Sequence, residues 1–231
     1  MNRNNLIISL ILASTSTLCS CLDDNCFTLK ETVKESTLEN GNQLFICDKG
    51  NGEAWITYDP CKPLHLNASN SAQIATYTGD IEIPKMIIVD HWAYNITGID
   101  NMAFANNNEL TSITLPNSIT NLGEGAFCNC IFLNSINIPE GVELIPKACF
   151  GQCKNLKSLT LPSSIKTIER LAFGYCNGLK ELHIQATTPP TTTNEAFGEY
   201  ISKTTLYVPS GSKNLYEEQE IWKQFKAIEE E

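Results

Sequence analysis

A phenylalanine preceded by alanine or cysteine recurs at a nearly fixed interval between residues 104 and 197 of this 231-residue chain. Phe104, Phe127, Phe150 and Phe173 follow one another at a constant 23-residue period, and Phe197 comes one position later than the same period would place it. A fixed period of about 20 to 50 residues is typical of a stacked solenoid, in which each repeat contacts only its neighbours. The chain is therefore predicted to be a solenoid of 23-residue repeats rather than a globule closed around one centre.

Each repeat also contains a short pattern that predicts a β-strand. In the segment that begins at Leu110, the apolar Ile113 and Leu115 point to one side, while Ser112 and Thr114 point to the other. A proline ends the strand, since it has no N–H group to offer to a neighbouring strand. The same apolar-proline pair recurs with the period of the phenylalanines, at Leu115-Pro116, Ile138-Pro139 and Leu161-Pro162.

The five phenylalanines are predicted to form a column in the core, since burying one such ring stabilises a fold by about 1.5–3 kcal/mol. Another repeat position is occupied by three cysteines, Cys130, Cys153 and Cys176. In the first regular repeat the same position is Asn107. Cysteines at the same phase have parallel Cβ vectors, which is poor geometry for a disulfide. We therefore expect these three, and Cys149 at an alanine position, to be buried thiols.

Other cysteines are not explained by the repeat. Cys26, Cys47 and Cys61 precede it, and all three pairings among them are open in an exported protein. Cys128 has no place in the core pattern, so its redox state is open as well. A zinc site at Cys128-x-Cys130 is the weaker interpretation, because the repeat already explains Cys130. No metal and no cofactor is predicted.

The N-terminal segment 1–21 has the features of an export signal. Arg3 supplies a positive start, and the apolar run 6–13 is too short to span a bilayer of roughly 30 Å. The stretch Leu18-Cys19-Ser20-Cys21 resembles a bacterial lipobox, which makes Cys21 the predicted lipidated residue. The acidic residues that follow are similar to the surface-export signal of lipoproteins in Bacteroides-type bacteria. The alternative is an ordinary secretory signal with two incidental cysteines.

These features divide the chain into five predicted segments, and acyl groups on Cys21 are the only predicted membrane contact. The segments are a signal peptide at 1–21, a tether at 22–45, an N-terminal β cap at 46–84, a repeat array at 85–209 and a C-terminal cap at 210–231. Within the N-terminal cap, 53–60 and 64–78 are predicted strands. In the C-terminal cap, apolar residues are expected to cover the last coil: Leu215, Tyr216, Trp222, Phe225 and Ile228.

The phased residues together resemble a known family. The stretches AFANNNELTSITLPNSITNLGEGAF and AFGYCNGLKELHI, and the ending that begins TTPPTTTNEAF, are similar to the BspA-like leucine-rich repeats of bacterial surface proteins. The resemblance covers about residues 75–230. It implies a leucine-rich repeat solenoid, a β-rich right-handed horseshoe with parallel strands, an N-terminal β cap and a C-terminal strand-plus-helix cap. It also implies a role in surface interaction or adhesion, and it carries no catalytic residues.

The sequence contains no sign of catalysis or nucleic-acid binding. Enzyme motifs such as G-x-S-x-G, H-E-x-x-H and the P-loop are absent. His183 and Glu181 are separated by one residue and share a strand face, but a solvated face explains them better than a catalytic pair. A formal net charge of −10 disfavours nucleic acid, because affinity for phosphate depends on lysine and arginine.

The candidate binding surface is the row of outward-pointing residues along the repeat strands. They are Thr111, Ser112, Thr114, Asn134, Ser135, Asn137, Lys157, Ser158, Thr160, Lys180, Glu181 and His183. Horseshoe proteins often bind on such a face. This one lacks the tryptophan, tyrosine and arginine anchors of tight interfaces. Loops with aromatic residues are alternative contact points: Trp92, Tyr94, Tyr175 and Tyr200.

The sequence supports one leading functional hypothesis and two alternatives. The leading one is a lipid-anchored outer-membrane protein, exposed at the cell surface, that binds a host or microbial protein or glycan without catalysis. The second is a structural spacer in an envelope complex. The third is an enzyme such as a glycan hydrolase, which needs a carboxylate pair in a cleft that the repeat strands do not offer.

Overall fold

The computed structural model of the protein describes residues 33–57 and 77–231, and most of the regular elements in this part are short β-strands joined by turns. The strands before the regular repeats are β1 (Val33–Thr37), β2 (Gln43–Gly50), β3 (Glu53–Thr57), β4 (Thr78–Glu82), β5 (Met86–Val89) and β6 (Trp92–Ile99). The repeat strands are β7 (Glu109–Thr114), β8 (Asn121–Leu122), β9 (Ser135–Ile136), β10 (Leu144–Ile145), β11 (Ser158–Leu161), β12 (Thr167–Ile168), β13 (Glu181–Ile184), β14 (Thr191–Thr192), β15 (Thr205–Val208) and β16 (Ala227–Glu230). One short helix, α1 (Lys213–Glu217), and the 3₁₀ turns Gly198–Lys203 and Trp222–Gln224 complete this part of the chain.

Five of the first six strands form an N-terminal sheet of mixed direction, in the order β1-β2-β3-β6-β5. The pairs β1–β2, β2–β3 and β5–β6 are antiparallel, and β3–β6 is parallel. Asp90 and His91 connect β5 to β6 with φ angles of 52° and 70°. Two consecutive residues with positive φ give the type I′ turn, whose twist matches that of a β-hairpin.

The N-terminal sheet differs from the predicted division of the chain. The segment 22–45, predicted as a tether, contains β1 and the first residues of β2, because the polar strand Val33–Thr37 is held by pairing with β2 rather than by an apolar pattern of its own. Segment 85–98, the start of the predicted repeat array, contributes the β5–β6 hairpin to the same sheet. Of the predicted strand at 64–78, residues 64–76 lie outside the described residues, and Thr78 begins β4.

The repeats form two walls of parallel strands. One wall consists of the sheets β4-β7-β9 and β11-β13-β15-β16, which we call the strand wall. Its pairs join equivalent positions of successive coils, as in Leu159 with Leu182 and Leu182 with Leu206. The other wall contains β10-β12-β14 and begins where the end of β6 pairs with β8. Strand β6 therefore belongs both to the N-terminal sheet and to this second wall.

The core between the walls is a stack of phenyl rings. Phe104, Phe127, Phe150, Phe173 and Phe197 follow one another with ring centroids 5.4–5.6 Å apart and interplanar angles of 5–9°. All five side chains are at most 4% exposed. Offset ring pairs at this separation stabilise a core beyond the area that they bury. The repeating phenylalanines are thus the spine of the array.

A second column, of thiols, connects each coil to the one before it. The Sγ atom of Cys130 donates to the carbonyl of Phe104 at 2.9 Å, and Cys153 and Cys176 make the same bond to the preceding coils. None of the three is in a disulfide. Burial raises the pKa of the Cys176 thiol to about 12, and it raises the pKa values of Cys130 and Cys153 as well.

The C-terminal segment packs against the last phenyl ring. Trp222 and Phe225 meet Phe197 with their rings at 63° and 73°, and β16 pairs with β15 as a final parallel strand. The hydroxyl of Tyr216 donates to the Ala186 carbonyl at 2.7 Å. Leu215, which we expected to cover the last coil, is 43% exposed, because the single turn of α1 directs Tyr216 inward instead.

Candidate interaction face

The outward side chains of the strand wall form columns that run from coil to coil. Alternation along each strand turns Leu159 and Leu161 into the core, which leaves Ser158 and Thr160 exposed. Pairing then sets residues of successive strands beside one another. One column contains Ser158, Glu181, Thr205 and Ala227, and the next contains Thr160, His183, Tyr207 and Glu229.

At the N-terminal end of this face, a carboxylate organises two hydroxyl groups. Ser112 and Thr111 donate to the same Oδ1 atom of Asp80, at 2.6 and 2.8 Å. These two hydrogen bonds, that of Ser112 first, lower the pKa of the exposed Asp80 carboxyl. Two predicted face residues are therefore engaged within the protein. Sequence reasoning missed Asp80, because a register irregularity between Gly79 and Asp80 sets its place beside Ser112.

One predicted face residue supports the backbone instead. The side-chain oxygen of Asn137 accepts from the Leu115 N–H at 2.7 Å, and its Nδ2 donates to the Leu115 carbonyl at 2.8 Å. Strand β9 ends at Ile136, so this amide takes over the hydrogen bonds that a longer strand would supply. In the same coil Asn134 and Ser135 are exposed, and so is Thr114 in the preceding strand.

At the C-terminal end, His183 is the centre of a small cluster. Its ring stacks on Tyr207, with centroids 4.5 Å apart and an angle of 9°. Its Nδ1 lies 2.8 Å from Oε2 of Glu231, whereas its Nε2 lies 3.9 Å from Oε2 of Glu181. The histidine is thus fixed by Glu231 more closely than by Glu181. No pattern in the sequence indicated Glu231, since it lies far from His183 along the chain and outside the repeats.

The remaining predicted face residues lie where the strands begin. The Asn134 N–H donates to the Thr111 carbonyl at 2.9 Å, and the Lys180 N–H donates to the Lys157 carbonyl at 2.8 Å. The side chains of Asn134, Lys157 and Lys180 are exposed. They lie at one edge of the strand wall, beside the column that starts with Ser158.

The alternative aromatic contact points divide into exposed and covered residues. Trp92 is 69% exposed and Tyr175 is 62% exposed, so both are available to a partner. Tyr94 is only 6% exposed and carries the ammonium of Lys34 against its ring, which removes it from the set. Tyr200 is half-buried beneath Lys203.

The second wall has a shallow concavity near β12 and β14. Thr167, Glu169 and Arg170 contribute to its lining, together with Lys147 and Thr191. Two of its charged groups are already engaged: Glu169 accepts from the Lys147 backbone N–H at 2.8 Å, and Arg170 pairs with Glu195. This concavity therefore presents hydroxyl groups more than free charge.

Across residues 33–57 and 77–231, no cluster of three histidine, cysteine or acidic side chains could hold a metal ion. No helix in those residues is both long and apolar enough to span a membrane. The predicted lipidation residue Cys21, together with Cys26 and Cys61, lies outside the described residues. Cys47 is buried in β2. Burial raises the pKa of the partly covered Cys128 thiol.

Comparison with known proteins identifies the repeats. A family model described as a BspA type leucine rich repeat region matches residues 91–219 in six copies. None of the curated proteins matches the sequence.

Three solved structures share the fold at low sequence identity. A leucine-rich repeat protein from T. pallidum superposes with a TM-score of 0.57 at 18% identity, over 85% of this chain and 78% of its own. A leucine-rich repeat protein from Bacteroides ovatus superposes with a TM-score of 0.52 at 21% identity, over 88% of this chain and 41% of its own. A leucine rich cell surface protein from Faecalibacterium prausnitzii superposes with a TM-score of 0.51 at 20% identity, over 85% of this chain and 39% of its own. The chain thus spans less than half the length of the last two. The predicted leucine-rich repeat fold with parallel strands is confirmed.

Proposed function

Because the chain belongs to the BspA-type leucine-rich repeat family, we propose that it is a non-catalytic surface protein whose strand wall binds another macromolecule. The partner is a host or microbial protein or glycan, and the contact is adhesive. Cys21 carries the lipid that holds the protein on the outer membrane, with the repeats on the outside of the cell. The array has 23-residue repeats in a right-handed horseshoe, closed by an N-terminal β cap and a C-terminal strand-plus-helix cap.

One observation carries this proposal: the outward side chains of the strand wall stand in columns that the core does not need. Ser158, Thr160 and Glu181 are exposed, while the alternate residues of the same strands are buried. A stacked phenyl spine behind them limits their relative movement, so a partner that fits loses little conformational freedom on binding. The similarity to the Faecalibacterium prausnitzii cell surface protein supports the location at the surface.

The His183–Tyr207 stack is the best contact point for a partner on this face. It is an aromatic element of the strand wall, and aromatic residues carry much of the binding energy at protein surfaces. Glu181 and Glu231 flank it, so the point is acidic. It accepts a cationic or hydroxyl-rich group of the partner more readily than an anionic one.

A second function, that of a spacer in an envelope complex, is favoured by a different observation. Thr111, Ser112 and Asn137 use their polar atoms within the protein, so this part of the face offers little to a partner. A spacer needs a rigid, soluble wall and no binding point.

A binding screen with matched variants separates the two functions. The full chain with Cys21→Ser, which cannot be lipidated, is tested against matrix proteins and a glycan array. The variant Tyr207→Ala should weaken binding of a partner that docks at the His183–Tyr207 stack by about tenfold, because it removes the ring beneath His183. The control Tyr175→Ala removes an exposed tyrosine outside the face and should leave binding unchanged.

Protease added to intact cells supplies the test of location. Cleavage of the repeat array in unbroken cells supports surface display, and full protection contradicts it. Capture of envelope proteins alone, with no binding in the screen, would assign the chain to the spacer function.

A further inference from the structure

Four lysines follow the repeat period along one edge of the strand wall. Lys157, Lys180, Lys203 and Lys226 are spaced by 23 residues, the interval of the first four phenylalanines, in a chain of net charge −10. Core positions repeat because each coil must bury the same contacts. No such reason applies to these lysines, because all four are exposed. Their recurrence therefore concerns the surface.

Backbone hydrogen bonds set three of these lysines, Lys157, Lys180 and Lys226, at equivalent positions of their coils. Lys180 donates its N–H to the Lys157 carbonyl at 2.8 Å, and Thr205 donates to the Lys180 carbonyl at 2.8 Å. Lys226 then donates to the Thr204 carbonyl at 2.9 Å. The interval from Phe173 to Phe197 is one residue longer than the others. Thr204, and not Lys203, therefore occupies the position between Lys180 and Lys226. Neighbouring parallel strands lie about 4.8 Å apart, so Lys157, Lys180 and Lys226 share one line across successive coils, with Thr204 between the last two. Lys203 lies beside that line, one residue before Thr204. We call these four lysines the lysine column.

Within residues 33–57 and 77–231, the column lysines have no acidic partners. Several other lysines of the array and its C-terminal segment do have them: Lys147 with Glu124, Lys166 with Glu143, Lys213 with Glu217 and Lys223 with Glu220. Within the described part of the chain, none of the four column lysines forms an ion pair, and Lys203 lies 5.6 Å from the centroid of the Tyr200 ring. Their charges are therefore available to an external anion.

The positive line is narrow. Glu181 follows Lys180 directly, and Glu229 and Glu230 follow Lys226 within β16. A flat anionic surface or a nucleic-acid duplex would bring its own charges against these carboxylates as well as against the lysines. A single extended polymer can follow the column without touching the acidic residues beside it.

We propose that the lysine column binds a linear anionic polysaccharide, one that carries carboxylate or sulfate groups along its chain. Each lysine supplies a point charge for an anionic group of the polymer. An acidic peptide fits less well, because the neighbouring residues Ser158, Glu181 and Thr205 are polar and give its side chains no apolar anchor.

This inference rests on the proposed function, of which it names the partner class at one edge of the strand wall. Two quadruple variants of the full Cys21→Ser chain test it. One replaces the lysine column (K157Q/K180Q/K203Q/K226Q). The other, a control of the same charge, replaces the four paired lysines (K147Q/K166Q/K213Q/K223Q). Each variant has a net charge of −10 − 4 = −14. The probes are polygalacturonate, heparin, neutral dextran and poly-L-glutamate, measured by titration calorimetry at low and high salt.

The expected result is binding to polygalacturonate or heparin, and none to dextran. Replacing the column should weaken that binding by about tenfold or more and reduce its salt dependence, since several exposed charge contacts are lost together. The control should change it by less than about twofold. The two polysaccharides distinguish carboxylate from sulfate recognition.

Three results would overturn the inference: no binding to either anionic polysaccharide, equal weakening by the two quadruple variants, or equally tight binding of poly-L-glutamate. If the screen finds a macromolecule that binds equally well without the lysine column, the proposed function holds and the polysaccharide inference is wrong. If no macromolecule binds in either experiment, the proposed function itself is wrong.

Discussion

The N-terminal sheet and the repeat array bury apolar residues in different ways. In the array, each coil repeats the same contacts with the next, as the phenyl rings do at 5.4–5.6 Å. In the N-terminal sheet each contact occurs once, as with the ring of Trp55 over Gly98. A defect in the array should therefore spread to neighbouring coils, while a defect in the sheet should remain local.

The largest effect is expected at the centre of the phenyl stack. Phe150→Ala removes a fully buried ring from between two others, and the neighbouring coils cannot close the cavity. It should reduce the free energy of unfolding by about 3–5 kcal/mol, measured by urea titration. Tyr175→Ala, which removes an exposed ring in the same repeats, is the control and should cost little. A free energy of unfolding of the Phe150→Ala variant within error of that of the original chain would contradict the stacked core.

A smaller effect is expected where the N-terminal sheet joins the array. A Cβ atom added to Gly98 would lie 2.6 Å from the Trp55 ring, so Gly98→Ala must displace that side chain. The expected loss is about 1–3 kcal/mol, with a change in tryptophan fluorescence. The urea transition of the array should stay in place if the sheet yields locally. Ala93→Ser, an exposed change in the adjacent hairpin, is the comparison, and an equal loss there would refute the close contact.

Within the array, the amide of Asn137 should matter and that of Asn134 should not. Asn137→Ala leaves both the N–H and the carbonyl of Leu115 without their side-chain partner. We expect a loss of about 1 kcal/mol, at the low end for such groups because water reaches them. Asn134→Ala in the same coil removes an exposed side chain. Equal stability of the two variants in urea titrations would show that Asn137 is not structural.

The smallest effect concerns the thiol column at high pH. The pKa of Cys176 is about 12 in the folded chain, against an ordinary value of 9.0. Its contribution to stability is therefore complete below pH 9 and declines as the pH rises from 9 towards 12, because the unfolded chain ionises first. Between pH 7 and pH 10, Cys176→Ala should lose less stability than the original chain, by on the order of 1 kcal/mol. Equal losses would mean that the thiol is not buried as the hydrogen bond to Phe150 implies.

The same contrast decides how much the sequence could predict. Core positions of the array are visible because each coil faces a copy of itself, so a contact appears as a period. Strand β1 has no such signal, since Val33–Thr37 is mostly polar and depends on β2. The turn at Asp90 and His91 lacks the glycine that usually marks a type I′ hairpin.

The face was predicted as a set of positions but not as a set of roles. Alternation along a strand shows which side chains point outward, and it correctly exposes Ser158 and Thr160. It cannot show that Asn137 turns back to Leu115 or that Asp80 takes the hydroxyls of Ser112 and Thr111, because these bonds join different coils. The pairing of His183 with Glu231 depends on the course of the C-terminal segment, which does not repeat the pattern.

The central claim is that parallel pairing of successive coils creates the outward columns, and interstrand nuclear Overhauser effects test it most directly. The account predicts contacts between the backbone protons of Leu159 and Leu182 and between those of Leu182 and Leu206, and none between Leu159 and Leu206. Contacts in antiparallel order, or between strands two coils apart, would contradict the claim, and the outward columns of the strand wall would then not exist as described.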